Sequence, residues 1–172
     1  MRWEKNFLLW VQKNLRSPAM TSFFQFITHS VDWGAIWIFI SLGMIAAEKT
    51  RRGGFACMVT LVADFILVNV ILKYAVRRLR PFQTMKKLSP LVPPPDDFSF
   101  PSGHTAASFA SAAAVRFAGY PNVSLFLFAF AALVGFSRVY LGVHYLTDVI
   151  GGAVIGVLTA YGVHLVLGAC LI

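Results

Sequence analysis

The segment Ser137–Asp148 (Ser-Arg-Val-Tyr-Leu-Gly-Val-His-Tyr-Leu-Thr-Asp) places an arginine, a histidine and an aspartate in a C-terminal region that is otherwise almost entirely apolar. If His144 and Asp148 share a helix, their i, i+4 spacing stacks them on one face. The carboxylate could then hold one ring nitrogen and leave the other free to act as a base or nucleophile. Arg138 contributes a planar, permanently charged fork suited to gripping phosphate oxygens. Ionisable groups inside a membrane-like stretch mark function by default. The competing reading is a buried, mutually satisfied polar cluster that stabilises the helices around it.

Two further sets of residues carry chemistry. Lys73 ends an apolar run and Arg80-Pro81 follows shortly after. A helix continuing to Leu79 would put the two cations about two turns apart, able to converge on a polyanion. Alternatively they are basic residues snorkelling at a span end. Pro101-Ser102-Gly103-His104 opens the next apolar run. Proline suits a helix start, serine can cap it, and glycine lets the backbone approach a ligand. The first N–H groups of such a helix face an anion, and His104 is placed to deliver a proton. An ordinary capped helix start with a surface histidine would look the same. Taken together, the three sets describe a phosphoryl-transfer pocket that uses a covalent enzyme intermediate and no metal.

Lys73-x6-Arg80-Pro81, Pro101-Ser102-Gly103-His104 and Ser137-Arg138-x5-His144-x3-Asp148 resemble the complete three-part signature of the type 2 phosphatidic acid phosphatase superfamily, in order and at every position. The resemblance extends in layout from about Asp32 to the C-terminus. It implies that His144 is the nucleophile, forming a phosphohistidine, with Asp148 orienting and polarising it. It implies that His104 is the general acid, and that Lys73, Arg80, Arg138, Ser102 and the Gly103 amide form the phosphate cradle. No cofactor is implied. The substrates implied are membrane lipid phosphates or diphosphates: undecaprenyl diphosphate, phosphatidylglycerophosphate or phosphatidic acid. The alternatives are a phosphotransferase built on the same intermediate, or a non-catalytic membrane protein that binds phospholipids.

These groups need elements to position them, and composition says which. Of 172 residues 58% are hydrophobic and only 13% charged. Mean hydropathy is +0.70. A soluble domain is nearer half apolar and a quarter charged. The excess lies in long runs, which points to an all-α, polytopic membrane helix bundle. The net charge of +8 would suit nucleic acid only on a basic soluble face, and no such domain is visible. Basic loops beside membrane spans and an anionic substrate explain it better. The expected partners are therefore the phospholipid bilayer and a lipid-phosphate substrate, not nucleic acid.

Five spans are expected, at about Asp32–Glu48, Gly54–Lys73, Ser102–Arg116, Pro121–Phe136 and His144–Leu167. Residues 3–16 read as an interfacial amphipathic helix. Its Trp3, Phe7, Trp10 or Val11, and Leu15 recur at helical spacing, while Glu4, Lys5, Lys13 and Arg16 lie elsewhere. The same charges argue against a cleavable signal peptide. Ser17-Pro18 breaks this helix, and a second short one covers about Met20–His29. The domain is read as single, 1–172, with 1–31 interfacial and 32–172 the transmembrane core. The alanine-rich third span is built for close contact and belongs at the bundle centre.

Segments 77–100 and 138–143 fall on one membrane side. Lys49, Arg51, Arg52 and Arg116 fall on the other, which makes Lys49–Arg52 cytoplasmic and the active face extracytoplasmic, in the cell membrane. Cys57 and Cys170 read as free buried thiols, and no Cys/His cluster suggests a metal. Asp64, mid-span, is either functional or satisfied by a neighbouring serine or threonine. Asp96 and Asp97 would repel phosphate if turned inward, so both are placed in solvent. His29 and His164 are assigned to packing or the interface, and Tyr140 and Tyr145 to the pocket wall.

Overall fold

Gly103–Phe117 contains six alanines and two serines among its small residues, and that composition decides the architecture. The computed structural model describes residues 2–85 and 88–171, the last three of these by backbone alone. Helices α1 (Arg2–Asn14), α2 (Pro18–Ser30), α3 (Ala35–Ala46), α4 (Arg51–Phe65), α5 (Lys73–Val76), α6 (Pro81–Thr84), α7 (Gly103–Phe117), α8 (Pro121–Tyr140) and α9 (Leu146–Leu171) follow in order. A π-helical stretch, Ile66–Leu72, joins α4 to α5. Among the described residues there is no strand.

The central helix is α7, as its small residues predict, and it packs against α3, α4, α8 and α9. Ala106, Ala110, Ala112 and Ala113 are all buried. The facing helix answers with glycine. A Cβ at Gly156 would stand 2.3 Å from the Ala106 carbonyl oxygen, and one at Gly152 2.7 Å from that of Ser102. Backbones so close exchange dispersion contacts that bulky side chains would forbid.

Three stretches are long and apolar enough to cross a bilayer: Glu48–Thr84, Pro121–Tyr140 and Leu146–Gly168. The pair Pro18–Ser30 and Asp32–Ala46, bent by 44°, makes a fourth if it counts as one broken span, so three or four such stretches stand where five were expected. At 15 residues, or about 22 Å, α7 is shorter than a perpendicular span, and it lies inside the bundle rather than against lipid. The chain is a multi-pass membrane protein. Its outer surface carries Phe26, Phe39, Leu125 and Phe126, each largely exposed.

Several elements depart from expectation. The fourth span runs on to Tyr140 and carries Ser137 and Arg138 on its last turns. Gly142, at φ +78°, then turns the chain, and α9 starts only at Leu146. His144 and Asp148 therefore do not share a helix. The histidine sits in the turn and the aspartate in the first turn of α9. Lys73 and Arg80 do not share one either. Arg77 takes a left-handed conformation (φ 52°) that ends α5, and Arg80 is extended at the start of α6.

At the N-terminus, Trp3 and Trp10 are about half exposed, as an interfacial helix requires, but Glu4 is fully buried with Leu8 and Val11. Ser17 accepts the Met20 amide and Pro18 fills the first position of α2, which explains the break between α1 and α2. Tyr140 and Tyr145 both pack against Leu8, Val11 and Phe24 of this N-terminal layer. The Tyr140 ring packs 4.6 Å from that of Phe24, and Tyr145 pairs its hydroxyl with Thr84 at 2.6 Å. His164 stacks on Phe117. Cys57 is a free, buried thiol, while the Cys170 side chain lies outside the described residues. Neither carboxylate oxygen of buried Asp64 has a hydrogen-bond partner among the described residues, so the expected serine or threonine is not there.

Gly156→Ala is expected to destabilise the folded protein by about 1–3 kcal/mol, because the Ala106 carbonyl is backbone and cannot swing away. Gly162, with nothing within 4 Å of its Cβ position, is the control. Melting temperatures in detergent should fall for the first alanine variant and stay unchanged for the second.

Candidate active site

The site forms where three chain breaks meet: the end of α5, the start of α7 and the turn between α8 and α9. A helix break is a natural place for charge in a membrane protein, because freed backbone groups and water access can satisfy it. Lys73 arrives on the last turns of the long α4–α5 helix and is 4% exposed; Arg80 is 2% and Arg138 5%.

Arg80 is fixed from all sides. Its Nε donates to the Asp97 carbonyl at 2.8 Å, and its Nη1 to the Val143 carbonyl at 2.9 Å. The same Nη1 lies 3.1 Å from His144 Nε2. Arg80 Nη2 donates to Asp97 Oδ1, and Lys73 Nζ to Asp97 Oδ2. One carboxylate thus bridges both cations. This overturns the placement of Asp97 in solvent. Two buried cations side by side need a counter-charge, and Asp97 on the preceding loop is the anion within reach. Burial would raise its pKa, but the charges and hydrogen bonds of Lys73 and Arg80 hold it well below the usual carboxylate range, at about 2.

Arg138 donates from Nη1 to Thr28 Oγ1 of α2. Its Nε is buried without a partner among the described residues, as is Nδ1 of His144. His144 is almost completely buried. Burial first, and then the positive charges of Arg80, Arg138 and Lys73, push its pKa well below the ordinary value. The ring is therefore neutral near pH 7, with a nitrogen lone pair available beside the cations.

Asp148 lies near His144 but is engaged elsewhere. Its Oδ2 is 3.6 Å from His144 Nδ1, beyond hydrogen-bond range. That oxygen accepts from Ser99 Oγ at 2.6 Å and from the Tyr145 amide at 2.8 Å. The other, Oδ1, accepts from Arg78 Nη1 at 2.6 Å.

At the start of α7, Ser102 gives its amide to the Asp148 carbonyl at 3.0 Å. Its hydroxyl pairs with Thr105 Oγ1 at 2.9 Å and makes no cap. The expected serine cap is absent because Thr105 is the nearer partner. Gly103 is needed for closeness of another kind: a Cβ there would stand 2.7 Å from Asn69 Oδ1. The first intrahelical bond of α7 joins the Ala106 amide to the Ser102 carbonyl, which leaves the amides of Gly103, His104 and Thr105 at the positive end of the helix. His104 Nε2 lies 2.9 Å from Asp32 Oδ1. The other oxygen of Asp32 is 2.7 Å from His29 Nδ1, so His29 is not a mere packing residue.

The structure thus gathers Lys73, Arg80, Arg138, His144 and Asp148, with Ser102, Gly103 and His104 at the adjoining helix start. Sequence reasoning missed Arg78, Asp97, Asp32, Glu4, Thr28 and Ser99. A charge argument could have found the acids. Cations buried among apolar helices require carboxylates, and the chain has only seven acidic residues.

The PAP2 superfamily model matches residues 53–171. An undecaprenyl-diphosphatase of Sulfolobus acidocaldarius is 32% identical over 121 residues, covering 70% of this chain. This chain spans only 58% of that protein's length. Phosphatidylglycerophosphatase B of Bacillus subtilis is 34% identical over 165 residues, covering 84% of this chain and 73% of its own. Among solved structures, a transmembrane PAP2-type phosphatidylglycerolphosphate phosphatase from Bacillus subtilis aligns with a TM-score of 0.78 at 30% identity, over 94% of this chain and 83% of that one. Aquifex aeolicus LpxE gives a TM-score of 0.79 at 24% identity, over 92% of each chain, and so shares the fold.

Asp97 holds the two cations that an incoming anion would need. Asp97→Asn should tighten inorganic phosphate binding about three- to tenfold, a modest factor because the carboxylate is partly exposed and screened. Calorimetric titration of the detergent-solubilised protein measures it. Unchanged or weaker binding would mean that Asp97 supports the cations without competing for them.

Proposed function

The chain belongs to the PAP2 superfamily, and on that premise we propose that it is an integral membrane lipid phosphatase working through a phosphohistidine at His144. The observation that carries this reading is the surplus of buried positive charge around a neutral histidine. Lys73 and Arg80 share one internal carboxylate, and Arg138 keeps a buried donor unused among the described residues. Such preorganised cations stabilise charge that grows on a transferring phosphoryl group.

In the proposed sequence, phosphate oxygens displace Asp97 and are gripped by Lys73, Arg80 and Arg138, with the Ser102–Gly103 start of α7 beside them. His144 Nε2 attacks phosphorus as the bond to the leaving oxygen breaks, and His104 gives that oxygen a proton. Water then attacks the phosphohistidine with His104 taking its proton, releasing phosphate and the free ring. Asp148 orients His144, which requires closing the present 3.6 Å gap to Nδ1 to hydrogen-bond length. No metal takes part in the proposed steps, and Lys73, Arg80 and Arg138 supply the positive charge.

The substrate is proposed to be a lipid phosphate or diphosphate whose tail stays in the bilayer: undecaprenyl diphosphate, phosphatidylglycerophosphate or phosphatidic acid. The names of the two relatives at 32% and 34% identity support the first two. The site is proposed to face the extracytoplasmic side of the cell membrane, because Lys49, Arg51 and Arg52 lie at the other end of the bundle.

Release of inorganic phosphate from these three lipids in detergent, with EDTA present, tests the reading. Wild-type protein should turn over at least one of them, and His144→Ala should lose activity by at least about a thousandfold. Abolition by EDTA, or near-normal turnover in His144→Ala, would sink the mechanism. Asp32→Asn gives a separate check on the acid. Losing the partner of His104 should slow an alkyl phosphate about ten- to a hundredfold, while an aryl phosphate, whose leaving group needs little protonation, should be almost unaffected.

A further inference from the structure

We infer that Glu4 of the interfacial helix α1 is a positioning residue for the His144–Asp148 pair, acting through Arg78. This inference rests on the proposed role of His144.

Glu4, the one acidic residue of α1, is fully buried, whereas Arg2 and Lys13 of the same helix are exposed. A carboxylate is not driven there by apolar packing, since burial of an ionised group is costly unless it is paired. Its partners are specific. Thr147 Oγ1 donates to Glu4 Oε1 at 2.6 Å, and Arg78 Nη2 donates to Glu4 Oε2 at 2.5 Å. Arg78 uses its other arm, Nη1, on Thr147 Oγ1 at 2.7 Å and on Asp148 Oδ1 at 2.6 Å. The guanidinium lies over the Tyr145 ring, 4.3 Å from its centroid. One arginine fork therefore joins two carboxylates 144 positions apart in the chain, Glu4 and Asp148, with Thr147 closing the ring between them.

The geometry has an electrostatic consequence. Asp148 must remain negative enough to draw the Nδ1 proton of His144. A guanidinium paired with Asp148 alone would neutralise it and compete for its oxygens. Sharing that guanidinium with Glu4 divides its charge between two carboxylates and leaves Asp148 more of its negative charge beside the histidine. That charge opposes the cations that also face His144: Arg80 from the loop before α6, Lys73 from α5 and Arg138 from α8. His104 of α7 is the remaining titratable neighbour. Burial raises the pKa of Glu4, but the bonds from Thr147 and Arg78 and the arginine's charge lower it further, so the carboxylate is ionised at neutral pH.

Glu4→Gln keeps the size and an acceptor oxygen but removes the charge, while Glu4→Asp keeps the charge. Arg78→Lys keeps the cation but cannot span both carboxylates. The chain has four histidines, so ¹⁵N-histidine NMR in detergent micelles can follow His144, assigned through His144→Gln. Turnover of a short-chain lipid phosphate is measured on the same samples, with melting temperature as the check on folding.

In Glu4→Gln and Arg78→Lys the Nδ1–H tautomer of His144 should lose population. For both variants kcat should fall at least tenfold, with KM within about twofold. Glu4→Asp should recover most of both. An unchanged His144 signal overturns the inference, even if kcat falls, since that loss would then be structural. A recovery in Glu4→Asp no better than in Glu4→Gln overturns it too. The tautomer shift can be read whether or not the protein hydrolyses any lipid. A shift without turnover in the wild type would therefore uphold the link from Glu4 to His144 and reject the phosphatase reading instead. If Glu4→Gln does not fold, Arg78→Lys decides by the same two readouts.

Discussion

Lys73, Arg80 and Arg138 are almost completely buried at one end of an apolar bundle, and keeping three such cations charged constrains everything around them. Removing a charge from water costs several kcal/mol even after relaxation, unless partners replace the solvent. The partners come from distant parts of the chain. Asp97 arrives on the loop before α7, Thr28 on α2, and the Val143 carbonyl from the turn between α8 and α9. Each partner has to reach the same end of the bundle, so the loops and short helices there are tied to one another electrostatically. The apolar bundle provides walls of low dielectric; the cations decide which segments cover its end.

Chain breaks supply the freedom that straight helices lack. A continuous helix from Lys73 through Arg80 would hold both cations on one rod, at a separation fixed by helical rise. The left-handed Arg77 releases Arg78, Leu79 and Arg80 into extended chain. Arg78 can then turn towards Glu4 and Asp148 while Arg80 turns towards Asp97 and His144. The turn at Gly142 does the same for the other half of the site, lifting His144 off α9 so that its Nε2 meets Arg80. The tight α7–α9 packing is what makes these breaks tolerable. With Gly152 and Gly156 in backbone contact with α7, the ends of the two helices stay fixed while the turns beside them deviate.

The membrane character of the helices and the groups that meet at the site were legible in the sequence, because both depend on short-range features, but the count of five spans was not, since α7 is too short to qualify. Apolar runs report burial in lipid, and small residues report close helix contact; the alanines of α7 announced its central place. The signature residues were visible because ionisable groups stand out in apolar surroundings. What could not be read was pairing. Nothing local distinguishes Arg78 from Arg77, yet one is an ion-pair partner of two carboxylates and the other ends a helix. Asp97 reads as solvent-facing because an acid repels a substrate anion, whereas its attraction to two resident cations depends on a fold that brings Lys73 and Arg80 to it. Glu4 read as part of a polar face because helical periodicity ranks residues by hydropathy and cannot see a buried arginine waiting for a partner. The helix shared by His144 and Asp148 failed for a related reason: spacing of four fits a helix, but Gly142 places the boundary after the histidine.

The arrangement also reconciles two demands that pull against each other. Anion binding calls for concentrated positive charge, and a nucleophilic histidine calls for a lone pair on its ring. In water these would compete with protonation, since a histidine near neutral pH is partly charged. Within this site they cooperate. Burial and the same three cations drive the proton off His144, so the charges that would hold a phosphate also keep the ring neutral while it waits. Asp97 moderates the cations in the absence of ligand, bridging Lys73 and Arg80 with the two-oxygen geometry that a phosphate edge would present. In the proposed reaction an arriving phosphate would bring more negative charge than the carboxylate it replaces, which favours exchange, and Asp97 would return to the cation pair as the product leaves. A resident carboxylate on the loop before α7 thus gives the buried cations a counter-charge in the absence of ligand, which a bare cluster of the same strength in a low-dielectric bundle would lack.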